Sequence, residues 1–113
     1  MADSLDKKFY KIREVSELLD IPVPTLRFWE SRFGELRPRR NSGGTRFYTP
    51  GDIETIRLIR FLVHERGLKI DAARELLHRN RRGVEKRHEV VRRLQKVRCR
   101  LTDLLRALDS RKI

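Results

Sequence analysis

The feature that most constrains this chain is a row of six apolar residues near its C-terminal end, set among charged side chains. They are spaced four, three, four, three and four residues apart, the heptad spacing of a coiled-coil helix. A helix with so narrow an apolar stripe has to bury it against another surface. It could fold back onto the rest of the chain, but pairing with a second copy is favoured. The predicted dimer-interface residues are Val90, Leu94, Val97, Leu101, Leu104 and Leu108.

The charge of the chain narrows the class of partner. Its 113 residues hold 28 Lys and Arg against 16 Asp and Glu, a formal charge of +12. Residues 84–113 carry +6 of this excess, so the positive charge covers the whole chain and is not confined to one tail. A balance this basic favours a polyanionic partner, most often nucleic acid. Binding to a membrane surface is disfavoured because residues 84–113 contain no aromatic side chain.

Composition also excludes several other classes of protein. No apolar run approaches the roughly 18 residues of a membrane span, and no apolar signal segment opens the chain, so a cytoplasmic, nucleoid-associated protein is expected. One cysteine, Cys99, and three histidines without ligand-like spacing predict no metal site. No phosphate-binding loop or nucleophile–base pair is found, so no enzyme, catalytic residue or cofactor is predicted.

Hydrophobic periodicity predicts four short helices and a β-hairpin before the heptad segment. The helices are expected over residues 11–19, over 24–33 with Gly34 as a C-cap, from Thr49 or Asp52 to Gly67, and over 68–77. Residues 45–49 read as a strand, with Gly43-Gly44 at or near the hairpin tip. The expected fold is mainly α. It comprises a flexible N-terminus (1–8), a winged helix-turn-helix domain (9–80), a polar hinge (80–83) and a dimerisation helix (84–110).

The second predicted helix has two unlike faces when residues are placed about 100° apart. One face is apolar and is predicted to face the core: Leu26, Trp29 and Phe33. The opposite face carries a cation, an aromatic ring and small residues: Pro24, Arg27, Phe28 and Ser31. Such a face suits a helix lying in a DNA major groove. Arg27 could contact a guanine edge or a phosphate, and Phe28 could contact a thymine methyl or a sugar.

Four arginines surround the predicted hairpin tip, with only Glu35 nearby to offset them. A basic hairpin of this kind suits contact with phosphates or with the minor groove. The four are Arg37, Arg39, Arg40 and Arg46.

Several motifs occur in an order that resembles the MerR family of bacterial transcription regulators over residues 9–77. They are FYKIREV at 9–15, PTLRFWE at 24–30, LRPRR at 36–40, RFY at 46–48 and ARELL at 73–77. The resemblance is closest to the branch of the family that has a tryptophan in the second helix.

The resemblance implies a homodimer, joined by an antiparallel coiled coil, that binds a two-fold symmetric promoter operator. In the family the second helix reads the major groove and the wing grips the flanking backbone. Many members bend and untwist an overlong promoter spacer so that RNA polymerase can engage both elements, and others repress. Arg27, Phe28, Arg46 and Tyr48 match DNA-contact positions of the family. The full predicted set is Lys11, Arg13, Pro24, Thr25, Arg27, Phe28, Ser31, Arg37, Arg39, Arg40, Arg46 and Tyr48.

Two departures and two alternatives stay open at this point. Sensors of the family carry an effector domain or a cysteine-bearing metal loop after the dimer helix. Neither follows Leu108 in this sequence, so the effector is undefined: either the protein has none, or its sensing domain is missing from this sequence. The first alternative is an excisionase-like or nucleoid-type architectural DNA-binding protein, which the long heptad helix disfavours. The second is an interaction module whose basic surface meets an acidic protein.

Overall fold

A computed structural model describes residues 8–111 of the chain. The chain divides into two compact units, the first ending at Arg79 and the second beginning at Asn80. Residues 1–7 of the predicted flexible N-terminus lie outside the described residues. The helices, the small hairpin and the long last helix confirm the mainly α, winged helix-turn-helix architecture.

The described part of the first unit, residues 8–79, has four α-helices and three short strands. In chain order they are β1 (Tyr10–Lys11), α1 (Ile12–Leu19), α2 (Val23–Arg32), β2 (Arg39–Arg40), β3 (Arg46–Tyr48), α3 (Pro50–Arg60), a π-helical turn (Phe61–Glu65) and α4 (Ile70–Arg79). Each predicted helix is present within a few residues of its expected bounds. The third helix is shorter than predicted, because the π-helical turn replaces its last part before Gly67, whose φ is +70°.

The predicted hairpin of the wing is present as the antiparallel pair β2 and β3, and β1 adds a third strand that the sequence does not predict, giving a sheet in the order β1-β3-β2. Tyr10 pairs with Tyr48 on one side of β3, and Arg40 pairs with Arg46 on the other. The extra strand satisfies the edge of β3, which would otherwise present unpaired backbone groups. Its pairing also anchors the chain just ahead of α1 to the wing.

A tight turn sets the angle between α1 and α2. Asp20 adopts the left-handed conformation, with φ of 55°, at the end of α1. The Ser16 hydroxyl donates to the Ile21 carbonyl at 2.6 Å, and the Ile21 N–H donates to the Ser16 carbonyl at 3.1 Å. These paired bonds close the turn, which ends directly ahead of α2.

The ends of α2 and α3 show how local chemistry sets the helix bounds. Phe33, not the predicted Gly34, is the C-cap of α2: its backbone is extended, its N–H donates to the Trp29 carbonyl and its side chain is buried. Of the two predicted caps, Thr49 and Asp52, Thr49 is the N-cap of α3. Its hydroxyl accepts from the Asp52 N–H at 3.2 Å, and the Asp52 carboxylate accepts from the Thr49 N–H at 3.0 Å.

The core of the first unit lies beneath α2 and between the other helices. Its largest fully buried side chains are Trp29, Tyr48, Phe33, Leu26, Leu36, Ile53, Ile56, Leu58, Ile59, Leu62, Leu77 and Val15. Burial of these apolar groups is the main force that holds α2 and the wing in place.

The second unit is one helix, α5 (Arg81–Arg111), of 31 residues. The predicted polar hinge at residues 80–83 is wrong, because the helix already begins at Arg81. Asn80 explains the early start: its side-chain oxygen accepts from the Gly83 N–H at 3.1 Å, as an N-cap does.

Candidate nucleic-acid interface

The two predicted faces of α2 are present in the structure. Leu26 and Trp29 are buried, and Trp29 packs against His64 of the π-helical turn, with ring centroids 5.5 Å apart. Arg27 and Ser31 are exposed, and the Phe28 ring is 48% exposed. An exposed phenylalanine beside an exposed arginine gives α2 an outer face that could meet a polyanion.

The outer face of α2 also holds a residue that the sequence prediction missed. The Arg32 guanidinium lies over the Phe28 ring, 5.6 Å from its centroid, in a cation–π arrangement. The Ser31 hydroxyl donates to the Phe28 carbonyl at 2.6 Å, so it is already engaged with the helix backbone. The i,i+4 spacing of Phe28 and Arg32 was the signal in the sequence that could have identified this pair.

Four predicted DNA contacts lie near the N-terminal ends of α1 and α2: Lys11, Arg13, Pro24 and Thr25. Pro24 is exposed and Thr25 is half-buried in the first turn of α2. Lys11 is exposed in β1, and Arg13 is exposed in the first turn of α1. These four surface positions remain predicted DNA contacts.

The tip of the wing is ordered by one asparagine. Asn41 Oδ1 accepts from the N–H groups of Gly43 and Thr45, both at 2.9 Å. Gly44 has a φ of +81°, a conformation that suits glycine. The loop is therefore held in shape by its own hydrogen bonds.

The four predicted wing arginines fall into two environments. Arg39 and Arg40 are exposed on β2, and Arg37 is exposed while its Nε donates to the Gly34 carbonyl at 2.8 Å. Arg46 is half-buried and points back toward α2, where it meets Glu30. The structure thus leaves Arg37, Arg39 and Arg40 at the surface.

Glu30 joins α2 to the wing, and the sequence prediction missed it. Its side chain is 14% exposed. The Arg46 Nε lies 3.0 Å from its Oε1 and 2.9 Å from its Oε2. The Arg40 Nη2 lies 3.5 Å from Oε1, and the Tyr48 hydroxyl donates to Oε2 at 3.1 Å. One carboxylate therefore gathers three side chains of the sheet.

Tyr48 differs from the surface contact that the resemblance implies. Its side chain is fully buried, and its hydroxyl is committed to Glu30. Burial and the negative charge of Glu30 raise the pKa of Tyr48 well above its usual range, so the phenol remains a neutral donor. Tyr48 therefore offers no exposed side chain in the single chain, and its contact with DNA stays a prediction.

The predicted seam on α5 is open to solvent in the single chain. Its six residues are 53–63% exposed, and Leu105 beside them is 62% exposed. A contiguous apolar stripe of this length on a soluble helix marks an interaction surface.

Three further features of the described residues concern metal binding, the reactivity of cysteine and membrane-spanning helices. Within residues 8–111 no group of three or more His, Cys, Asp and Glu side chains is placed to hold a metal ion. Cys99 is an exposed free thiol on α5. No helix in the described part of the chain is long and apolar enough to cross a membrane.

A helix-turn-helix with a basic wing and an exposed outer face on its second helix defines a winged helix-turn-helix DNA-binding protein. Comparison with known proteins gives the family. Residues 10–80 match the model of the MerR HTH family of regulatory proteins, and the chain belongs to that family. It is therefore a DNA-binding transcriptional regulator.

Its similarity to individual relatives is concentrated in the first unit. The chain is 35% identical over 79 residues to the transcriptional repressor CarH of Myxococcus xanthus, covering 70% of this chain and 26% of CarH. It is 40% identical over 68 residues to the transcriptional regulator MlrA of Escherichia coli, covering 60% and 28%. Thus the chain spans about a quarter of the length of these two relatives.

A third relative matches over a longer stretch. The transcriptional regulator ZntR of Escherichia coli is 28% identical over 100 residues, covering 84% of this chain and 70% of ZntR. No solved structure is significantly similar to the chain. All three relatives are named as HTH-type transcriptional regulators or repressors.

Proposed function

We propose that the protein binds a palindromic promoter operator as a homodimer and distorts it, acting in the cytoplasm on the bacterial chromosome. The observation that carries the proposal is the exposed apolar seam of α5 in the same chain as a DNA-binding unit. Two copies joined along this seam would present two α2 helices with two-fold symmetry. A symmetric reader of this kind selects a palindrome with a fixed half-site spacing.

The residues beside the seam favour an antiparallel pair of helices. In a parallel pair, the heptad positions that flank the seam would set Val91 against Lys86 of the other helix and Leu105 against Arg100. In an antiparallel pair in register with the seam, Val91 of each helix would face Leu105 of the other. The antiparallel arrangement therefore buries two further apolar contacts.

The wing is proposed to supply phosphate contacts, and α2 to supply base contacts. Arg37, Arg39 and Arg40 are surface cations on or next to the wing, where they could lie along a DNA backbone. Arg27, Phe28 and Arg32 lie on the outer side of α2, where they could contact base edges. The affinity of the protein for DNA then depends strongly on salt concentration, and its preference for one DNA sequence depends on α2.

Selection of binding sites from a random DNA pool at near-physiological salt tests this function. The expected result is one palindrome, with half-sites separated by about one helical turn or a multiple of it. A half-site spacing that straight B-DNA cannot match would show that the operator is distorted. The bend angle would be measured from the gel mobility of complexes in which the operator lies at different positions along a DNA fragment. Tight binding with no consensus would instead support the architectural alternative.

Arg39→Ala is expected to weaken binding to every DNA sequence by a similar factor. The slope of log affinity against log salt should flatten by about 0.9 if one phosphate contact is lost. Filter binding or fluorescence anisotropy at four salt concentrations measures both effects.

The charge-matched control is Arg106→Ala, which removes an exposed arginine from α5, on the side of the helix away from the seam. It should leave the salt slope unchanged. Equal slopes for Arg39→Ala and the unaltered protein would contradict the proposed role of the wing.

A further inference from the structure

The single acidic residue of α2 poses an electrostatic problem for a helix that binds DNA. Glu30 carries a negative charge on the element that is proposed to enter the groove, where phosphates would repel it. The structure offsets this charge locally. Two guanidinium groups and a phenol converge on the carboxylate, so that Glu30, Arg40 and Arg46 together keep a net charge of +1.

We propose that Glu30 is a positioning residue that couples the recognition helix to the wing and so sets the sequence discrimination of the protein. This inference rests on the proposed function. The carboxylate on α2 fixes where β3 lies relative to the helix, because it bonds Arg46 with both oxygens and Tyr48 with one. The base contacts of α2 and the phosphate contacts of the wing are thereby held at a fixed distance and angle from each other.

The exposure of the two arginines that contact Glu30 indicates which of them holds the wing against α2 and which can move. The side chain of Arg46 is 27% exposed and sits 2.9 Å from Glu30, so it belongs to the fixed part of the junction. The side chain of Arg40 is 57% exposed and 3.5 Å away, a weaker contact. Arg40 can turn to a phosphate without breaking the pair between Glu30 and Arg46. Because its pKa is raised, Tyr48 remains a hydrogen-bond donor to the carboxylate from the core side.

Glu30→Gln removes the charge while keeping the size and the acceptor oxygen of the side chain. Two effects of opposite sign are expected. Affinity for random DNA should rise and the log–log salt slope should steepen by about 0.9, because Arg46 becomes available to one more phosphate. The ratio of operator affinity to random-DNA affinity should fall about tenfold, since the wing is no longer held against α2 by a charge-assisted bond.

Two further variants separate positioning from a simple change of charge. Glu17→Gln removes the same charge from an exposed position of α1 and should leave the operator-to-random ratio unchanged. Tyr48→Phe alters no charge, yet it removes one bond to Glu30 and should lower the ratio in the same direction as Glu30→Gln. Thermal unfolding checks that each variant is folded. If Glu30→Gln does not fold, the inference is tested with Tyr48→Phe instead.

Each outcome of these measurements decides the inference. A lower ratio with stronger binding to random DNA supports it. An unchanged ratio in both Glu30→Gln and Tyr48→Phe overturns it, and so does an equal drop in Glu17→Gln. If the unaltered protein selects no palindrome, the proposed function fails. The role of Glu30 is then tested with random DNA alone. A steeper salt slope for Glu30→Gln but not for Glu17→Gln supports the inference, and equal slopes for the two variants overturn it.

Discussion

Leu101→Glu is expected to turn the protein into monomers that bind operator DNA at least a hundredfold more weakly. Leu101 lies in the middle of the seam and is 56% exposed in the single chain, so pairing would bury it. Two glutamates in that interface would each lose hydration at a cost of several kcal/mol. A monomer also loses the advantage of two linked half-site contacts, about 10²–10⁴ in affinity.

Sedimentation at several concentrations measures the first effect, and operator titration measures the second. Gln95→Glu is the matched control, because it adds the same charge to α5 at an exposed position outside the seam. It should remain dimeric. If Leu101→Glu sedimented as a dimer, the seam would not be the interface, and the orientation argued from Val91 and Leu105 would lose its basis.

Trp29→Ala is expected to lower the free energy of unfolding of the first unit by about 3–5 kcal/mol. The Trp29 side chain is 2% exposed and packs on His64, and truncation of a buried tryptophan costs about 3–5 kcal/mol. Small domains have about 5–15 kcal/mol of stability in total, so the loss is a large share of it. Urea unfolding followed by circular dichroism gives the change in the free energy of unfolding.

Phe28→Ala is the natural comparison, because the two aromatic residues are neighbours on the same helix. The Phe28 ring is about half exposed, so its loss should cost less than about 1 kcal/mol in stability. Operator affinity should nevertheless fall several-fold, since the ring lies on the outer face of α2. Equal destabilisation by both variants, or full operator affinity in Phe28→Ala, would contradict the assignment of the two faces.

Local patterns in the sequence predicted most of the helical architecture. The spacing of Leu26, Trp29 and Phe33 identified the buried side of α2, and all three are buried. Thr49 and Asp52 identified the start of α3, because a capping box is formed by residues only three positions apart. Such signals are readable because both partners of each interaction lie within one or two helical turns.

Interactions between distant residues could not be predicted in the same way. Strand β1 exists because Tyr10 pairs with Tyr48, and two residues at positions 10–11 have no strand pattern of their own. The junction at Glu30 depends likewise on where the fold places Arg46 and Tyr48. An acidic residue in α2 reads in sequence as an ordinary solvated charge. Its partners follow only from the tertiary structure.

The open seam of α5 has a consequence for gene dosage. If only the paired form engages an operator, its amount depends on the square of the chain concentration wherever single chains predominate. A twofold change in expression would then produce close to a fourfold change in promoter occupancy at low abundance. The apolar stripe on one helix would then make promoter occupancy rise more steeply than in proportion to the concentration of the protein in the cell.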